Sequence, residues 1–301
     1  MASIAYKLET HLPVQLAGDK LSVHAPVNIS SLLPGDEDEV LNALSTPSLT
    51  NVIMSGFVRD NGLASPLNRG RFYACRNEQN ELEGVALIGH SILFEAFNEN
   101  AIKAFATLAR REESIHLLMG EHTAVQKFWN HYADNEEQSP RLVCPVVFLH
   151  RHEPFHGNSS IDGLRPATQK DLEDVVLAQA AMVFETSGVD PLKKDPAGFI
   201  KRYLRRIEQG RVWVLMKDDR LVFKTDIIAD TPQATYIEGV YVSPEERGKG
   251  VGRNCVNALG RIFLQHTKAI YLFVEQENTR TQSFYQNLGF SIGGQYDLLY
   301  F

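Results

Sequence analysis

Cysteine is scarce, with three residues in 301. Cys75, Cys144 and Cys255 are odd in number and far apart, which excludes a disulfide framework and fits a reducing, cytoplasmic compartment with no zinc site. No apolar run is long enough to span a bilayer, so no membrane partner is expected. Residues 1–20 carry polar residues throughout and show no apolar core of a secretion signal. Without one, Asn28-Ile-Ser and Asn158-Ser-Ser are read as chance matches to the glycosylation pattern. Positive charge is also in deficit. The 30 Lys and Arg against 37 Asp and Glu leave a net charge of -7, which argues against a nucleic-acid partner. The P-loop pattern and the G-x-G-x-x-G dinucleotide fingerprint are both missing.

What the sequence does hold centres on residues 236–253. Tyr236, Glu238, Val240 and Val242 alternate with Ile237, Gly239 and Tyr241, in a run rich in β-branched and aromatic residues. That pattern predicts a strand. Pro244 ends it, because proline has no N–H to donate. Gly248, Gly250 and Gly252 follow at alternate positions, and then Val256, Leu259, Ile262 and Phe263 at helical spacing. Strand, glycine turn and helix together make an anion cradle. The glycines let the backbone come close to a ligand, and the first helical N–H groups carry the positive end of the helix dipole. Arg247, Lys249 and Arg253 add charge suited to a pyrophosphate.

The spacing Arg247-x-x-Gly250-x-Gly252 resembles the acyl-CoA pyrophosphate motif of the GCN5-related N-acetyltransferases, the GNAT family. Residues 239–244, Gly-Val-Tyr-Val-Ser-Pro, resemble the end of that family's fourth strand. A tight strand-to-helix turn with charged flanks would use the same residue types. A second match favours the family. After an apolar strand at 269–274, residues 278–290 resemble its closing helix, Asn-x-x-Ala/Thr-x-x-Phe/Leu-Tyr-x-x-x-Gly-Phe.

The resemblance implies an α/β (α+β) fold, with a mixed, mostly antiparallel central sheet flanked by helices. It implies transfer of an acetyl group from acetyl-CoA, as co-substrate, to a primary amine by direct attack, with no metal. Backbone groups of Val240, Tyr241 and Val242 would pair with the pantetheine arm. The turn Gly248, Lys249, Gly250, Val251 and Gly252 would hold the pyrophosphate, with Arg247 and Arg253. Asn278 matches the family's Asn near the cofactor arm, or is a helix cap alone. Tyr285 matches the helical Tyr that acts as general acid; the alternative is a ring packed inward with its hydroxyl in water. Glu238 is the expected base, on one strand face with Val240 and Val242; the alternative is a solvated or salt-bridged side chain. Many family members carry the acid one pleat earlier, where this chain has Tyr236.

The length predicts two domains. Residues 163–301 are expected to form the acetyl-CoA-binding domain. Its strands are 164–168, 211–217, 221–228, 235–242 and 295–301, its helices run to 184 and over 196–209, and Glu185 sits in an acceptor-site loop at 185–195. Residues 150–162 read as a polar linker. Its His150, His152 and His156 raise a metal site against a default of solvated chain. Residues 1–149 read as a divergent copy, with helices at 50–59, 99–110 and 121–132 and strands at 71–76, 82–89, 91–97 and 114–119. Within it Thr123-Ala-Val-Gln-Lys-Phe-Trp-Asn echoes Thr279-Arg-Thr-Gln-Ser-Phe-Tyr-Gln. The copy lacks the glycine motif and has Trp129 in place of Tyr285, so it is expected to be silent, with a splayed central strand pair only in the second half. The expected partner is a small-molecule or peptide amine. The alternative functions are a non-catalytic acyl-CoA sensor or scaffold, and recruitment of a protein substrate by the first half.

Overall fold

The computed structural model describes residues 27–112, 115–133, 139–155 and 160–301. The first half runs β1 (Asn28–Ser31), α1 (Glu37–Ala43), α2 (Leu49–Asn61), β2 (Gly70–Arg76), β3 (Leu82–Gly89), β4 (Ser91–Ala96), α3 (Glu99–Ala109), β5 (Leu117–Glu121), α4 (His122–Tyr132) and β6 (Leu142–Arg151). The second runs β7 (Leu164–Pro166), α5 (Leu172–Ser187), α6 (Pro191–Lys194), α7 (Pro196–Glu208), β8 (Val212–Lys217), β9 (Arg220–Asp230), β10 (Thr235–Val242), α8 (Val251–Phe263), β11 (Ile270–Glu275), α9 (Thr279–Gln286) and β12 (Ser291–Tyr300). Local chemistry sets many of these boundaries. The side chains of Ser48, Asn98, Asp195 and Asn278 each accept a first-turn amide of their helix. Asp218 and Asp219 take positive φ in succession, which turns the β8–β9 hairpin.

Among the described residues twelve strands form one sheet in the order β1-β2-β3-β4-β5-β12-β6-β11-β10-β9-β8-β7. Advancing each label by half the set gives the same order reversed, so the halves are two copies of one fold around a pseudo-twofold axis. The copies exchange their last strands. β12 pairs with β5 of the first half, and β6 pairs with β11 of the second. The two exchanged strands then pair with each other along almost their whole length, from Ser291↔His150 to Tyr300↔Leu142. The sequence reading assigned no element to 142–149 and began a linker at 150. β6 takes in His150 and Arg151.

Both halves contain a splayed parallel pair, which corrects the expectation of one in the second half only. β4 meets β5 at Ser91↔Leu117 and Ile92↔Leu118, and β10 meets β11 at Thr235↔Ile270 and Tyr236↔Tyr271. Beyond those residues each strand follows its antiparallel neighbour. β4 stays with β3 to Ala96, and β10 stays with β9 to Val242, while β5 and β11 follow the exchanged strands.

Apolar residues alternate across the sheet and build a core on each face. One face carries α1, α2, α5 and α7, over residues such as Leu93, Tyr236, Tyr271 and Val214. The other carries α3, α4, α8 and α9, over residues such as Phe94, Ile237, Phe223 and Leu272. Helix α2 bridges the halves, and only glycine fits where it crosses β9: a Cβ on Gly56 would come within 2.8 Å of the Cβ of Ala229. The expected loop at 185–195 is largely helical. α5 continues to Ser187 and stops at left-handed Gly188, and Asp190 caps α6 with Pro191 at its first position. Among the described residues no helix is long and apolar enough to cross a membrane.

Candidate active site

The glycine turn lies between β10 and α8, the strand and helix its spacing predicts. Gly248 and Gly250 have φ of +78° and +82°, and a Cβ built on either would meet nothing within 4 Å. Gly250 caps α8 with no side-chain bond, and the first ladder bond comes from Asn254 N–H. The amides of Val251, Gly252 and Arg253 therefore face open space at the positive end of the helix. Gly252 is required for a different reason. A Cβ there would lie 3.2 Å from Val242 Cγ2 and 3.7 Å from Phe284 Cζ, so the turn, the end of β10 and α9 meet at this point. Arg247 Nε donates to the carbonyl of Val242 at 3.0 Å and so braces the turn. Lys249 pairs with Glu246 at 3.2 Å, and Arg253 is exposed. This open, glycine-lined turn leaves the first amides of α8 free to meet an anionic group.

Glu238 lies elsewhere than strand alternation implies. Gly239 has φ of +60°, and the register jumps from Glu238↔Asp226 to Tyr241↔Lys224. This bulge sets Gly239 and Val240 against the single residue Thr225. Val242 then pairs with Phe223 and joins Val240 on the α8 face. Glu238 instead shares its face with Tyr241, Lys224 and Asp226, beneath α5 and α7. Glu238 keeps exposed surface, while the protein packed around its carboxyl group desolvates it. Burial raises its pKa above the usual carboxylate value, against the lowering effects of a hydrogen bond from Tyr236 and of the Arg206 charge.

Tyr285 packs on the opposite face. Its ring lies 5.0 Å from that of Phe284 and 5.5 Å from that of Phe290, and burial raises its pKa. Its hydroxyl has no hydrogen-bond partner among the described residues. Past Tyr236 and Tyr271 the strands β10 and β11 no longer pair. Asn278 is exposed and caps α9 through Thr281 N–H at 3.0 Å. Glu185 is exposed on the last turn of α5.

Among the described residues the first half has no counterpart of the cradle. β4 passes to α3 through two residues, Asn98 Oδ1 occupies the free amide of Ala101, and Glu99 places an acid in the first turn. Among the described residues no group of His, Cys, Asp and Glu is placed to hold a metal. In the histidine segment His150 belongs to β6, its ring 5.0 Å from that of His152. His156 lies outside the described residues.

The sequence reading missed the polar and charged residues under the bulge: Tyr203 and Arg206 on α7, and Lys224 and Asp226 on β9. A signal for them was present. Lys224-Thr-Asp226 interrupts an otherwise apolar strand, and a charge there is buried only with a partner.

Residues 180–290 match the family model described as Acetyltransferase (GNAT) family. That stretch contains the cradle, Glu238 and Tyr285. A tandem GNAT protein from the clavulanic acid biosynthesis pathway, solved without AcCoA, superposes with a TM-score of 0.56 over 91% of this chain and 98% of its own, at 12% identity. An acetyltransferase of the GNAT family from Colwellia psychrerythraea gives 0.55 over 91% and 99%, at 12% identity. A GCN5-related N-acetyltransferase from Sphaerobacter thermophilus gives 0.58 over 91% and 96%, at 13% identity. No curated protein matches the chain. Residues 180–290 therefore carry the GNAT family match, and the chain has the fold of the tandem GNAT protein over 91% of its length.

Proposed function

We propose that the chain is an acyl-CoA-dependent N-acetyltransferase that moves an acetyl group from acetyl-CoA to a primary amine of a small molecule or peptide by direct attack. The observation that carries this reading is the open cradle at Gly248–Gly252, at the end of a strand that splays from its parallel neighbour. In this reading residues 163–301 bind acetyl-CoA and residues 1–149 are a divergent copy. Acetyl-CoA supplies the activated acyl group. The amides of 248–252, with Arg247, Lys249 and Arg253, hold its diphosphate. The free edge of β10 at Val240, Tyr241 and Val242 orients its arm, with Asn278 near it.

Glu238 takes the proton of the acceptor ammonium, and the freed amine forms the new C–N bond as the C–S bond breaks. Tyr285 gives its proton to the departing thiolate. We place this chemistry in the cytoplasm, given three cysteines that are all free. The test is calorimetry with acetyl-CoA followed by thiol detection over a broad amine panel. Binding with thiol release supports the enzyme. Tight binding with no release on any amine favours an acyl-CoA sensor, and no binding removes the reading.

A further inference from the structure

A carboxylate pair stands at the bulge. Glu238 and Asp226 are in register on neighbouring strands, and like charges in that position repel. The residues around them answer this. Lys224, fully buried, donates to Asp226 Oδ1 at 2.8 Å. Tyr203 donates to Asp226 Oδ2 at 2.9 Å and accepts from Arg206 Nη1 at 3.2 Å. Arg206 lies 3.7 Å from Asp226 Oδ2.

The bulge is shaped to admit this cluster. A Cβ on Gly239 would come within 2.9 Å of Gln179 Oε1, 3.0 Å of Lys224 Nζ and 3.2 Å of Asp226 Oδ2. Arg206 and Lys224 both favour ionised Glu238, and burial lowers the pKa of Lys224 itself against the pull of Asp226. Three buried phenols also interact with Glu238: Tyr236 on its own strand, Tyr203 on α7 and Tyr300 on β12, and Tyr241 shares its face. Burial keeps those three neutral.

We propose that Arg206, Lys224, Asp226 and Tyr203 form a positioning network that sets the protonation of Glu238, with Arg206 holding the carboxylate ionised and Asp226 opposing it. Its importance for turnover rests on Glu238 being the proton acceptor. The network itself does not. A base must be ionised to accept a proton and must hold that proton firmly once it has it. Burial supplies the second property, and the two cations preserve the first.

The test is a direct titration of Glu238 in the full chain. Protein labelled with carbon-13 at glutamate Cδ is followed by NMR, and the Glu238 signal is assigned by its loss in Glu238→Gln. Arg206→Met is expected to raise the midpoint by about one unit, Arg206→Lys to restore it, and Asp226→Asn to lower it by about one unit. Midpoints that stay put, or that move in the same direction in Arg206→Met and Asp226→Asn, overturn the network. The Arg206 pair carries the test alone if Asp226→Asn fails to fold, because Arg206 is 35% exposed and its removal leaves the Lys224–Asp226 bond in place. The acidic limb of the rate profile on the best amine of the panel is measured beside it. A limb that follows the NMR midpoint supports both ideas. Shifted midpoints with an unmoved limb support the network and remove Glu238 as the base.

Discussion

Arg151, the last residue of β6, donates through Nη1 to the carbonyl of Leu288, just beyond α9. It also donates to the carbonyls of Glu153 at 2.9 Å and Pro154 at 2.7 Å, and lies 4.1 Å from the centre of the Phe155 ring. A residue from the first half of the sequence thus fixes the end of the helix that carries Tyr285. Arg151→Met would strip three carbonyls of a charged donor, and a loss of about 2–4 kcal/mol is expected, measured by urea unfolding. Turnover should fall more than acetyl-CoA affinity, because α9 positions Tyr285 while the cradle sits on α8. Unchanged stability would show that water replaces the guanidinium.

The strand exchange makes the halves interdependent. Residues 161–301 expressed alone would leave β11 without β6 and β12 without either neighbour, exposing long strand edges. They are expected to aggregate, whereas co-expressed 1–160 and 161–301 should copurify as one particle. A monomeric, cooperatively folding 161–301 fragment would mean that β12 can fold back onto its own half.

Gly250→Asp tests the cradle. The residue has φ of +82° and open space before it, so the added carboxylate would project toward the proposed diphosphate. Acetyl-CoA binding should fall below detection by calorimetry, while Gly250→Asn, which tolerates the same φ without the charge, should retain part of it. Native affinity in the Asp variant would remove the cradle from the site.

Tyr285→Phe removes one hydroxyl and keeps the ring that packs on Phe284 and Phe290. If the hydroxyl protonates the thiolate, kcat should fall by ~10²-fold or more with little change in the KM for acetyl-CoA. Glu238→Gln should behave differently with pH. Its loss should hurt most at low pH, where the amine is most protonated, and higher pH should partly rescue it. Tyr285→Phe should gain no such rescue. Stability gives an independent reading. Burial raises the folded pKa of Glu238, so ionising it costs the folded state stability as pH rises from the unfolded value of about 4.3 through the raised one. Glu238→Gln should therefore be at least as stable as the parent near neutral pH. Parent-like rates in both variants would sink both assignments.

What could be read from the sequence was whatever depends on near neighbours along the chain. The glycine turn was legible because three glycines within five residues, a proline before them and an apolar helix after them define a local geometry. The caps Asn98 and Asn278 were legible for the same reason. So was the duplication, through Thr123–Asn130 and Thr279–Gln286, since each copy keeps the pattern of its own helix.

The tertiary structure alone decided two things. Strand pairing joins residues far apart in the chain, and an apolar run such as the one from Leu142 to Leu149 fits more than one partner. Whether residues 142–151 pair with 270–275 depends on which edge is open when the halves close. The face of Glu238 was the second. Strict alternation put it beside Val242, and one bulge at Gly239 moved it to the α7 side. A single inserted residue reverses every later side chain of a strand, and the bulge brings Gly239 against Lys224 and Asp226 of a neighbouring strand.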